Sequence, residues 1–190
     1  MSVLGMIEFT AIAVGIRASD AMVKAAAVDV IESHPIDPGK YVSLVTGDVA
    51  SVEASVAAGI INAGPDSVVE SFVLANLHAQ VLPALRGDAP IPTRDAVGVI
   101  ETSSSAAVIE AADAACKASA VRLLKLRIAL HIGGKGYTTF VGDVADVEAA
   151  VDAAARAAGA KLIERVVIPN PYADIYEHLV KSDDTWQSHR

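Results

Sequence analysis

One cysteine, Cys116, is all that this 190-residue sequence offers, so no intrachain disulfide can form and a reducing compartment is expected. Aromatic residues are scarce at 4%. Basic residues are outnumbered, 15 Lys and Arg against 23 Asp and Glu, and the net charge of −8 excludes sequence-independent binding to a nucleic-acid backbone. No stretch reaches the ~18–20 uninterrupted apolar residues that a spanning helix needs. The N-terminus lacks the basic start and cleavage site of a signal peptide. A cytoplasmic protein without a membrane anchor is the expectation.

Signs of catalysis are lacking too. His34, His78, His131, His178 and His189 show no metal-ligand spacing. Gly133-Gly134-Lys135 lacks the spacing of a phosphate-binding loop, and Ser103-Ser104-Ser105 reads as helix-capping chemistry. No acid–base pair can be nominated. No catalytic residue, metal ligand or cofactor is therefore assigned, and an enzyme is the poorer reading.

What the chain does have is small apolar side chains. Its hydrophobic fraction is 53%, supplied largely by Ala and Val, which suit close-packed helices and large subunit interfaces. It also has a repeat. Gly5-Met6-Ile7-Glu8 returns as Gly98-Val99-Ile100-Glu101, and the run from Asp20 to Ala25 returns as Asp113 to Ala118. At this offset of 93, 12 of the 24 positions in 5–28 are identical to their partners. Gly47-Asp48-Val49-Ala50 recurs as Gly142-Asp143-Val144-Ala145, an offset of 95, and 11 of 18 positions in 47–64 match. Two tandem domains fit this better than one large domain.

Each repeat reads β-α-β-β-α-β followed by a helix. In the first, strands are expected at 3–10, 28–33, 41–46 and 67–74. Helices are expected from a Ser19-Asp20 cap to about 26, over 49–63, and over 79–85. Residues 34–39, with Pro35 and Pro38, read as a loop. In the second, strands fall at 96–102, 121–130, 137–141 and 161–168, and helices at 105–119, 144–158 and 173–180. The fold class is α+β, two tandem ferredoxin-like (split βαβ) domains in unpermuted strand order. The boundaries are 4–86 for the first domain, 87–95 for a linker, 96–181 for the second domain and 182–190 for a polar tail.

On this framework the repeated motifs resemble those of bacterial microcompartment shell proteins. The family's single-domain members open with G-x-I-E-T, similar to Gly5 to Glu8 and to Gly98 to Thr102. They follow with D-A-x-x-K-A, similar to Asp20 to Ala25 and Asp113 to Ala118, and with a pore loop similar to Ile132-Gly133-Gly134-Lys135. Two fused units look most like the tandem-domain trimers of propanediol-utilisation-type shells, a branch that can carry an iron–sulfur cluster. The resemblance implies a homotrimer forming a pseudohexameric tile with a central pore for small polar metabolites. It also implies edge-to-edge contacts with other shell proteins, and a cytoplasmic microcompartment shell around encapsulated enzymes.

Site residues follow from the same resemblance. Asp37, Pro38 and Gly39, with Gly133, Gly134 and Lys135, are expected to line the pore. Cluster-bearing relatives carry a Cys where this chain has Asp37, a hard oxygen ligand, so no iron–sulfur cluster is expected. Asp37 reads either as a turn residue between prolines or as one of three carboxylates that repel anions at the pore. Lys40 and Lys135 could offset that charge. Lys24 and Lys117 fall at the family's tile-edge lysine, with surface solvation as the plainer alternative. Asn76 and Asn170 stand where relatives have an edge Arg. Two rival functions remain open: a metal- or cluster-binding redox shell subunit, and a duplicated ferredoxin-like sensor of a small ligand.

Overall fold

A computed structural model describes residues 2–87, 95–129 and 131–180 of the chain. Their contacts divide into two compact units. One holds the described residues of Met1–Ala79, Ser104–Ala106 and Ile128–Lys135, and the other those of Gln80–Ser103, Ala107–Arg127 and Gly136–Arg190.

In the first unit, β1 (Ser2–Phe9), α1 (Ile12–Ala25), β2 (Asp29–Ile36), β3 (Lys40–Gly47), α2 (Val49–Ala63) and β4 (Val68–Leu77) follow one another. The sheet order is β2-β3-β1-β4, and every neighbouring pair is antiparallel. β1 and β2 therefore run the same way with β3 between them, which is the split βαβ arrangement. β1 is buried from Val3 to Phe9, on both of its faces, and strands flank it on both sides. Its side chains Val3, Ile7 and Phe9 join Ala18, Met22, Tyr41, Val45, Val52, Val56 and Ala63 in the core.

The second unit takes α3 (Val81–Arg86) and repeats the pattern with β5 (Ala96–Thr102), α4 (Ser105–Ala118), β6 (Arg122–Ile128), β7 (Gly136–Gly142), α5 (Val144–Ala158), β8 (Leu162–Ile168) and α6 (Ala173–Val180). Its sheet order is β6-β7-β5-β8. Val97, Leu124, Val141 and Tyr176 pack together there, so α6 turns Tyr176 into the core of its own unit.

Packing explains the repeated glycine that opens each copy. A Cβ on Gly5 would lie 2.7 Å from both Val52 and Val56 of α2. One on Gly98 would lie 2.3 Å from the ring of Phe140. Only glycine lets these side chains settle on the sheet.

Several boundaries differ from the sequence expectation. α1 starts at Ile12, seven residues before the expected cap, and Ser19 sits inside it. Its hydroxyl donates back to the Gly15 carbonyl and meets the Ser43 hydroxyl instead of capping a helix end. β2 continues through Pro35 to Ile36, so the loop shrinks to a turn at 37–39. Proline is tolerated because β2 is an edge strand and one of its flanks needs no donor. Val49 faces solvent, while Val52 and Val56 are buried as their spacing suggested. Most of the 87–95 linker and all of the 182–190 tail lie outside the described residues.

Candidate functional site

Two turns carry the residues expected at a pore, and both belong to the first compact unit. The β2–β3 turn closes with the Gly39 amide donating to the Ile36 carbonyl at 3.0 Å, and Gly39 has φ +87°, a left-handed conformation natural to glycine. The β6–β7 connection bends more sharply. Ala129, His131, Gly133 and Gly134 all have positive φ, and the Ala129 amide closes the loop on the Lys135 carbonyl at 2.8 Å. For alanine such a conformation costs roughly 1–2 kcal/mol, so surrounding contacts must hold it.

Those contacts come from the other turn. Asp37 Oδ2 accepts a hydrogen bond from the Gly133 amide at 3.1 Å, and the Asp37 amide donates to the Ala129 carbonyl at 3.4 Å. A Cβ on Gly134 would stand 3.1 Å from the Asp37 carbonyl oxygen. Asp37, Gly133 and Gly134 are thus brought together, with Pro38 and Gly39 exposed beside them and Lys135 exposed on the facing loop. Lys40 is directed elsewhere: its ammonium sits 2.6 Å from Glu8 Oε1, and Glu8 is buried. That pair neutralises the acidic residue of the G-x-I-E motif. Nothing in the sequence alone connected Lys40 to it.

The candidate edge residues occupy separate places. Lys24 and Lys117 each close an i,i+4 ion pair at 2.5 Å, with Asp20 and Asp113. The first pair is exposed, whereas Asp113 is largely buried. Asn76 is exposed at the end of β4 with φ +56°, a conformation asparagine tolerates better than most residues. Asn170 is exposed just beyond β8. Cys116 is buried in α4, and burial, reinforced by the Asp113 carboxylate, pushes its thiol up to about 12. Such a thiol is a poor nucleophile and a poor metal ligand. Among the described residues no group of three or more His, Cys, Asp or Glu converges as a metal site would require. No described helix is long and apolar enough to cross a membrane.

The sequence profile of the BMC domain matches twice, over residues 3–77 and 96–171. The chain belongs to the BMC-domain shell proteins of bacterial microcompartments. It is a tandem-domain shell subunit, and its two four-stranded sheets are the two domains. The shell protein PduT of Citrobacter freundii is 46% identical over 180 residues, covering 94% of this chain and 97% of that protein. The shell protein EutM of Salmonella typhimurium is 44% identical over 86 residues, 44% of this chain and 86% of EutM. The crystal structure of a microcompartment protein from Desulfitobacterium hafniense superposes with a TM-score of 0.89 at 45% identity, covering 93% of this chain and 99% of that one. The fused permuted hexameric shell protein of the RMM microcompartment, at 23% identity and a TM-score of 0.62, shares the fold.

Proposed function

We propose that three copies of this shell protein close into a flat ring of six BMC domains, with the turns 36–40 and 131–136 lining a central pore. One observation carries the reading: Asp37 of the first repeat and Gly133 of the second are hydrogen-bonded neighbours. Equivalent turns of successive domains must adjoin if both surround one axis. The pore rim would then present Asp37 and Lys135, one of each sign per chain, because Lys40 is spent on Glu8. Such a rim suits small polar metabolites and its field is short-ranged. The role is geometric and electrostatic, without covalent chemistry.

The rim does not suit an iron–sulfur cluster. Thiolates usually hold these clusters, and the position is filled by a hard carboxylate already engaged by a backbone amide. Lateral contacts with other shell proteins would run through Lys24 and Lys117, together with Asn76 and Asn170. On this reading the subunit would lie in the sheet around encapsulated enzymes, in the cytoplasm.

Sedimentation equilibrium tests the ring: a trimer of about 58 kDa is expected, three times the 19.5 kDa chain. A monomer at micromolar concentration would overturn it. Electron microscopy tests the edges. Lys24→Asp with Lys117→Asp should leave trimers and abolish sheets, since facing carboxylates at a desolvated joint repel. Sheets of unchanged order would make these lysines ordinary surface residues.

A further inference from the structure

The segment that ends the first repeat belongs to the second unit and forms a joint there that its counterpart does not. Gln80, just before α3, clamps the outer edge of β6 through both ends of its side-chain amide. Its Nε2 donates to the Val121 carbonyl at 3.0 Å, and its Oε1 accepts from the Leu123 amide at 2.9 Å. The amide thus imitates a paired strand along the open flank of an edge strand. Val81, next in sequence, is 0% exposed, and Leu123 is 1% exposed.

The repeat supplies a second copy of each partner. Opposite β1, Val73 pairs with Gly5; opposite β5, Val167 pairs with Gly98. This register matches Asn76 to Asn170, Gln80 to Asp174 and Val81 to Ile175. The offset of 93 in turn matches Val121 to Val28 and Leu123 to Val30. Yet Ile175 is 54% exposed and Val30 is 49% exposed. Both halves of the joint are present and both stand open. α6 holds to its own core through Tyr176, which leaves Asp174 and Ile175 facing outward.

We propose that Asp174 and Ile175 of α6 dock on the outer edge of β2, at Val28 and Val30, in a second copy of this chain. The inference rests on the trimeric ring, of which this would be the closing joint. Head-to-tail contacts between copies would repeat the same joint around a closed ring. The occupant is another copy because the surface and its complement are the repeat images of a joint already formed inside the chain. The interchain joint is also chemically weaker. A carboxylate accepts hydrogen bonds but donates none, so Asp174 can serve the Val30 amide and leaves the Val28 carbonyl unserved. Asp29 lies between those two backbone groups, where β6 has Arg122, and adds like charge. The subunit joint is thereby looser than the internal one.

Dilution series in the analytical ultracentrifuge, on the full chain, test this. Asp174→Gln restores both ends of the clamp and should lower the concentration at which trimers dissociate, by about tenfold. Val30→Asp and Ile175→Asp should raise it by at least about as much, and the pair together by less than the product of the two. Both residues are exposed within the chain, so circular dichroism should report unchanged folding. Wild-type dissociation for Asp174→Gln together with wild-type dissociation for both Asp variants would overturn the joint and leave the trimer standing. A monomeric wild-type protein would remove the ring itself.

Discussion

Asp37 and Gly133 are 96 positions apart in sequence, yet the carboxylate of one accepts the amide hydrogen of the other at 3.1 Å. Gly133 has φ +66°, so its amide points where an ordinary residue would rarely aim it. The turn of the first repeat thereby fixes the sharper turn of the second. Without that acceptor, the positive φ at Ala129 and His131 would be held by fewer contacts.

Removing the acceptor should show this directly. Asp37→Ala is expected to speed hydrogen exchange at the Gly133 amide by about tenfold, the effect of one charge-assisted bond at a half-exposed site. Asp37→Asn keeps an acceptor and should lie between the two. Exchange followed by NMR at single-residue resolution is the measurement. Equal protection in all three proteins would mean that the loop holds itself.

The two motif glycines and the helix glycine separate steric need from mere tolerance. At Gly98 the clash is with the ring of Phe140, which is fully buried and has no room to swing away. Gly98→Ala should cost about 1–3 kcal/mol by overpacking. At Gly59 an added Cβ meets the terminal Cδ1 of Ile7 and the Cγ of the unbranched Met22 side chain, each at 2.7 Å. There the helix gains about 1 kcal/mol from alanine, which offsets the crowding. Urea denaturation should therefore place Gly98→Ala well below Gly59→Ala, and the reverse order would mean the sheet surface yields more than the helix pair.

The sequence showed its architecture through periodicity and repetition. α2 and α5 fall where their motifs place them because Gly47-Asp48 and Gly142-Asp143 halt a strand and start a helix, and a glycine ends each. α1 was misread at its start because a serine–aspartate pair carries the same local signature whether it caps a helix or lies within one. Ser19 does the latter, its hydroxyl taken by Gly15 and Ser43. The candidate site was legible in composition but not in connectivity. That Asp37 would bond Gly133, Lys40 would turn to Glu8, and Gln80 would clamp β6 are long-range facts. No local pattern encodes them.

The repeated aspartates that start α2 and α5 do not act alike, which yields a pH test. Asp48 accepts from both the amide and the hydroxyl of Ser51, at 3.0 and 2.7 Å, and these bonds hold its carboxyl below the ordinary aspartate range. Asp143 makes no side-chain capping bond. A depressed folded-state pKa stabilises the protein above the unfolded aspartate's range, and the benefit fades as pH falls through the folded value. Asp48→Ala should lower the melting temperature at pH 7, with the gap to wild type narrowing as the pH falls below the ordinary aspartate range. Asp143→Ala should change little at either pH. Equal losses from both variants at pH 7 would show that the negative charge matters rather than the Ser51 bonds.

The placement of Asp37 at a three-fold axis can be tested by turning it into a ligand. If three copies surround the pore, Asp37→Cys brings three thiols to one point. Thiolates bind iron and zinc far better than a carboxylate does, and three of them suffice to nucleate a site with an external fourth ligand. Cys116 will not compete, because it is buried and its thiol is pushed up to about 12. Anaerobic reconstitution with iron and sulfide should therefore load the variant at about one centre per trimer, while the wild type stays empty under the same conditions. The lost bond to Gly133 favours the outcome, since it frees the turn to adjust around a metal. Metal analysis on the isolated trimer decides the matter. A trimer of the variant that takes up neither iron nor zinc would show that residue 37 points away from the axis, and the pore would then have to be built from the loop at Gly133 and Gly134 alone.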